Sequence, residues 1–207
     1  MINAYYIRHK GGGFEMPPFF CDSYHQEIES TANNALRGMK RMTSALLAFA
    51  LSEAAIIPPY EIKRSAYGKP FLPNEKIKFS YCHTEGLCAA VISDYECGID
   101  AENIKRKASF AEISSRFFTA DEKEYLSSRN FSSKVFYEIW TKKEAYLKFT
   151  GRGLAGGLNS FSVLSLEKEK TTCVKKDDYI ISVYGESTAE IREITPAGLF
   201  MKLGIKL

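Results

Sequence analysis

Residues 140–154 read WTKKEAYLKFTGRGL, and residues 98–102 read GIDAE. The first is a helix-favouring run closed by glycines, in which Glu144 and Lys148 stand four apart and so share one helical face. The second is an apolar stretch carrying two carboxylates. On a strand, Asp100 and Glu102 are two apart and leave the same face. A strand with two acids and a helix with an acid and a lysine are parts of an α+β domain. Together they supply three hard oxygen donors and a cation, a set suited to a divalent metal handling phosphate. Taken singly, each has a bland explanation: a DxE on a solvent-facing strand, and an ordinary i,i+4 pair worth a few tenths of a kcal/mol.

Outward from this stretch, helices are expected over 109–118, 119–127 and 132–149, with Thr119 as N-cap and Glu122 at the capping-box position. Gly151, Gly153, Gly156 and Gly157 end the last of them. Strands are expected at 76–81, 87–93 and 97–102, after a YGKP turn at 67–70. Upstream, Met39, Met42, Leu46, Phe49 and Ala50 recur at helical steps, with Arg37, Arg41 and Ser44 on the other face. Near the start AYYI reads as a short strand, Gly11–Gly13 as a turn, Pro17–Pro18 as a breaker, and residues 14–34 as mostly loop. The last fifty residues read as a β-meander, with strands at 160–164, 179–184 and 189–194 and a period-two alternation from Leu199 to Leu207. The whole predicts an α+β chain with a soft boundary near Ser93–Glu96.

A net charge of +3 does not call for nucleic acid, so any anion site must rest on local cations. The five cysteines, Cys21, Cys82, Cys88, Cys97 and Cys173, form no CxxC pair and are expected as free packing thiols in a cytoplasmic protein. No apolar run is long enough for a membrane span or, at the start, for a signal peptide. His83 alone reads as a structural histidine, Lys69 as a turn lysine, and residues 105–107 (KRK) as a solvated basic turn.

The order of motifs changes these readings. YGKPFL, FSYCHTEG, GIDAE, RFFTADE, WTKKEAYLKFTGRGL and LNSFSV follow one another between Tyr67 and Val163. This series closely resembles the Sfp-type 4′-phosphopantetheinyl transferases. Three departures stand out: Cys82-His83-Thr84 where the family has Ser-His-Ser, Tyr81 for a smaller aliphatic residue, and Ala45 for a glycine.

The resemblance implies two similar α/β halves related by a pseudo-two-fold, 1–94 contacting coenzyme A phosphate and adenine and 95–207 holding the metal and the catalytic helix, with the active site in the cleft between them. It implies Mg²⁺-dependent transfer of 4′-phosphopantetheine from coenzyme A to a serine of an apo acyl or peptidyl carrier protein, releasing 3′,5′-ADP, with Mn²⁺ as an alternative metal. Asp100, Glu102 and Glu144 are then metal ligands, Glu144 the base, and Lys148 the cation facing the leaving group. Arg37, Arg41, Arg64, Lys69, Cys82, His83, Lys143 and Lys148 are expected to contact coenzyme A. A monomer without nucleic-acid or membrane partners is expected. The alternative is a non-catalytic coenzyme A or carrier-binding protein of the same fold.

Overall fold

A computed structural model describes residues 2–9, 14, 18–153 and 157–205. The expected turn at Gly11–Gly13, Pro17, Gly156 and the last two residues of the tail lie outside the described residues. The elements run β1 (Ile2–Arg8), α1 (Asp22–Glu29), α2 (Asn34–Glu53), β2 (Lys63–Arg64), β3 (Pro70–Phe71), β4 (Lys78–Thr84), β5 (Leu87–Ser93), β6 (Gly98–Asn103), α3 (Phe110–Phe117), α4 (Ala120–Ser128), α5 (Ser133–Thr150), β7 (Thr171–Lys176), β8 (Tyr179–Tyr184), β9 (Glu190–Glu193) and α6 (Pro196–Leu203). The chain is thus mixed α+β, with several sheets.

One sheet has the order β4-β5-β1-β9, antiparallel except that β9 lies parallel to β1. A second has the order β6-β8-β7, antiparallel throughout. The strand-helix-strand-strand series β1-α2-β4-β5 and β6-α5-β7-β8 place their strands in the same order, the first strand beside the last.

Alternation along β1 feeds two cores. Tyr5 and Ile7 join the apolar face of α2, whereas Ile2, Ala4 and Tyr6 meet Ile99, Ala101, Ile181 and Val183 of the second sheet. The other face of the second sheet carries α5, with Phe136, Tyr137, Ile139 and Ile180 in a third cluster. Gly98 makes the α5 contact close. A Cβ there would lie 2.0 Å from the Ala145 carbonyl oxygen and 2.5 Å from the Phe149 nitrogen, so only glycine lets the helix approach β6 so nearly. Among the described residues no helix is long and apolar enough to cross a membrane. All five cysteines are free thiols, three of them buried.

Several expectations are corrected. The tail is not a strand of a β-meander. Thr195 accepts from the Gly198 N–H at 3.1 Å, Pro196 opens the helix and Gly204 closes it at φ 65°, so residues 196–203 form α6, whose Leu199 and Phe200 pack into the α2 core. The strand expected at 160–164 is absent; a 3₁₀ turn at Leu158–Ser160 stands there, and β7 supplies the partner of β8. Residues 22–29, read as loop, form α1, anchored by buried Tyr24 and Ile28 one turn apart. Ser44 is buried rather than outward, donating to the Lys40 carbonyl at 2.9 Å.

Candidate functional site

The alternation of β6 and the close seat of α5 decide what meets. Ile99 and Ala101 turn into the inter-sheet core, which leaves Asp100 on the α5 side. Lys148, in the last turn of α5, donates to Asp100 Oδ1 at 2.7 Å and to the Ile99 carbonyl at 3.0 Å. Glu102 accepts from Thr84 Oγ1 at 3.1 Å and pairs with Arg106 at 3.4 Å. The Ile99 N–H reaches Ser80 Oγ at 3.3 Å, tying the acidic strand to β4.

Charge in this region does not balance. Burial raises the pKa of Asp100, against the pull of Lys148. Burial raises Glu102, and the charge of Asp100 raises it further. Burial raises Glu144, reinforced by Asp100 and Glu102 and opposed by Lys148. Burial would lower Lys148, but the Asp100 carboxylate and, behind it, Glu144 outweigh it and hold the amine charged. Three carboxylates are therefore met by two cations, the half-buried Lys148 beside Asp100 and Glu144 and the exposed Arg106 beside Glu102. His83 is pushed down by burial and then by Lys148 and Lys40, so its imidazole is neutral.

Two cavities open beside the cluster. One, of about 280 Å³, is lined by Arg64, Tyr67, Lys69, Tyr81, Glu144 and Lys148. The other, of about 840 Å³, is lined by Leu36, Met39, His83, Glu102, Lys105 and Arg106 among others. Lys69 bridges the Phe149 carbonyl at 2.9 Å, the Cys97 carbonyl at 3.3 Å and the Glu96 carboxylate, fixing the end of α5 to the chain before β6. Arg64 bonds Glu27 and the Gly68 carbonyl. Arg37 bonds the Thr31 carbonyl and Asn34, and Arg41 pairs with Glu29. Both arginines are thus engaged around the start of α2. Cys82 is buried, its thiol pushed up by burial.

Lys143 is corrected. Expected to contact coenzyme A, it lines neither cavity and is fully buried, 2.8 Å from Glu122 and 2.6 Å from the carbonyl oxygens of Leu158 and Phe161. The helical period turns it away from the face shared by Glu144 and Lys148. Thr84, Ser80 and Arg106 were not picked out by spacing. Arg106 stood in the run read as a solvated turn, and its four-residue offset from Glu102 was the available signal.

The donor types at Asp100, Glu102 and Glu144 fit a hard divalent cation. Among the described residues, however, no three His, Cys, Asp or Glu side chains are gathered closely enough to hold a metal ion. Lys148 takes Asp100 Oδ1 and Arg106 stands 3.4 Å from Glu102, so these two cations already draw on the same carboxylates.

Residues 96–192, from just before β6 through β9, match the family model described as the 4′-phosphopantetheinyl transferase superfamily. The chain is similar to the 4′-phosphopantetheinyl transferase gsp of Aneurinibacillus migulanus, 34% identical over 114 residues, 54% of this chain and 46% of that protein. A 4′-phosphopantetheinyl transferase of Bacillus subtilis is 32% identical over 144 residues, 68% of this chain and 60% of the relative. The 4′-phosphopantetheinyl transferase Sfp of Bacillus subtilis strain 168 is 31% identical over 128 residues, covering 57% and 56%. The matches thus span about half the length of these relatives. The matched stretch contains the acidic strand, the glycine that seats α5 and α5 itself, so it is over the residues that build the site that the chain is similar to the 4′-phosphopantetheinyl transferase superfamily.

Proposed function

We propose that this chain transfers 4′-phosphopantetheine from coenzyme A to a serine of an apo acyl or peptidyl carrier protein, releasing 3′,5′-ADP. The observation that carries the proposal is the surplus of negative charge at Asp100, Glu102 and Glu144 over Lys148 and Arg106, inside the matched stretch. Asp100, Glu102 and Glu144 would hold Mg²⁺, or Mn²⁺, exchanging Lys148 and Arg106 for it. Such a metal supplies charge neutralisation at the pyrophosphate of coenzyme A.

The residues themselves do the rest. Glu144, its pKa raised by burial and two neighbouring carboxylates, is a stronger base than an exposed glutamate and takes the proton of the carrier serine. The serine oxygen bonds to the phosphorus carrying pantetheine as the bond to ADP breaks. Lys148, kept charged by its acidic neighbours, donates to the departing ADP oxygen. Arg64, Lys69 and the aromatic wall of Tyr67 and Tyr81 receive the adenine end. His83 donates an N–H to the 3′-phosphate, with Arg37 and Arg41 adding positive potential. Cys82, buried, acts through its backbone, which makes the loss of a hydroxyl harmless.

We place the halves at 1–94 and 95–207, related by a pseudo-two-fold with the substrate in the cleft between them. The matching strand order of β1-α2-β4-β5 and β6-α5-β7-β8 supports this, with β9 and α6 returning to the first sheet. The protein is then a monomeric cytoplasmic enzyme whose macromolecular partner is the carrier, not nucleic acid or membrane. The test is to incubate it with coenzyme A, Mg²⁺ and a panel of apo carriers and to weigh the carriers. A gain of one phosphopantetheine on a carrier is expected, and no gain on any carrier by the folded protein would sink the proposal.

A further inference from the structure

The larger cavity holds a residue that no motif singled out. His9 follows β1 and lines that cavity together with His83. Its Nε2 is the one buried side-chain nitrogen or oxygen among the described residues with no hydrogen-bond partner. Buried polar nitrogens are almost always paired, because an unpaired one gives up its hydration and gets nothing back.

The sheet register shows where this nitrogen can be used. Ile7, Cys88 and His83 lie in one row across β1, β5 and β4. Ile7 and Cys88 belong to the α2 core, so His83 leaves the sheet on the α2 side, and His9, two residues beyond Ile7, follows the same alternation. The His9 backbone N–H donates to the Gly86 carbonyl at 3.0 Å, which holds His9 beside the turn that joins β4 to β5. His9 is half-buried and burial keeps its ring neutral, so one ring nitrogen is a donor and the other an acceptor. The orphan nitrogen therefore belongs to a side chain that lines the cavity, where an entering group can satisfy it.

The anion this region can accept follows from the chemistry already assigned. The pyrophosphate of coenzyme A is taken by the carboxylate and Lys148 cluster, and its one remaining anionic group is the 3′-phosphate. The larger cavity offers two imidazoles with Lys105 and Arg106 on its wall.

We infer that His9 turns its ring into the larger cavity when coenzyme A binds and gives the 3′-phosphate a second imidazole hydrogen bond beside that of His83. This rests on the function proposed above. It makes His9 a recognition residue that separates coenzyme A from its 3′-dephospho form.

The test is calorimetry on the full chain with Mg²⁺, titrating coenzyme A and 3′-dephospho-coenzyme A into wild type, His9→Ala and His9→Gln. His9→Ala is expected to weaken coenzyme A roughly tenfold, the worth of one hydrogen bond to a charged group, and to leave the dephospho form unchanged. His9→Gln keeps an N–H donor and is expected to lose less. In wild type, the His9 ring ¹⁵N resonances should move with coenzyme A and not with the dephospho form. No loss in His9→Ala, or an equal loss with both nucleotides, overturns the inference while leaving the transferase proposal standing. Wild type that binds neither nucleotide would remove both.

Discussion

Five residues apart on α5, two lysines make ion pairs with opposite consequences. Lys143 meets Glu122 with both side chains 0% exposed, and two carbonyl oxygens complete its shell. Glu122 is equally full: it accepts from the Thr119 N–H at 2.8 Å and the Val163 N–H at 2.7 Å. Every charge there has its counter-charge, and the pair joins α4, α5 and the 158–163 segment. Lys148 and Asp100 are 30% and 12% exposed, Lys148 walls a cavity, Glu144 also draws on its one charge, and Glu102 adds a third carboxylate beside Asp100. A closed, balanced pair holds a fold together. An open pair with surplus charge retains an unmet demand for a cation, and that demand is what a metal or a phosphate-handling step can use.

The largest effect that could break this contrast is on the closed pair. Glu122→Gln leaves the Lys143 charge buried without its partner and is expected to cost about 3–5 kcal/mol in urea unfolding. Glu122→Gln combined with Lys143→Met removes both charges and should recover most of that loss. A loss under about 1 kcal/mol for the single variant would show that the pair does not hold the helices. On the open side, Glu144→Gln is expected to leave folding and coenzyme A binding intact while lowering turnover about 10²–10⁴-fold, the range for losing a general base. Turnover near wild type would take Glu144 out of the mechanism.

A smaller effect sharpens the meaning of surplus charge. Lys148→Met leaves Asp100 without its donor, at a cost of about 1–3 kcal/mol. The same change frees carboxylate oxygens. Added Mg²⁺ should therefore raise the melting temperature of Lys148→Met more than that of wild type, since a cation bound only by the folded state stabilises it. If Mg²⁺ shifts neither protein, Asp100, Glu102 and Glu144 are not metal ligands.

What was legible in the sequence follows the same divide. The parity of Asp100 and Glu102 and the four-residue step from Glu144 to Lys148 are local periodicities, and α5 and β6 carry them into the structure nearly as spaced. The Thr119–Glu122 capping box was equally local. That Glu122 also neutralises Lys143 was not legible, because the partners lie 21 residues apart on different helices and only packing joins them. The tail failed for a different reason. The alternation from Leu199 to Leu207 is a short apolar pattern compatible with either period, and the capping residues Thr195, Pro196 and Gly204 decided for the helix. The return of β9 to the edge of the first sheet, parallel to β1, is a long-range crossover that no local pattern announces.

The smallest expected effect asks whether Glu144 is at heart like Glu122 or unlike it. Its pKa is raised in the folded protein above the ordinary value of 4.5, burial first and the charges of Asp100 and Glu102 next, with Lys148 opposing. An acid whose folded pKa is raised costs stability when ionised. The cost is fully present above the folded pKa, shrinks as pH falls through it, and is gone below the unfolded value. Glu144→Gln should therefore be more stable than wild type near neutral pH, by about 1 kcal/mol, the usual gain from relieving a functional site. The gap should close as pH is lowered from the raised folded value toward 4.5, followed by paired thermal melts. A wild type more stable than the variant at neutral pH, losing that advantage on acidification, would mean that the attraction to Lys148 wins. Glu144 would then be a structural partner of its lysine as Glu122 is of Lys143, and the distinction between the two pairs would collapse.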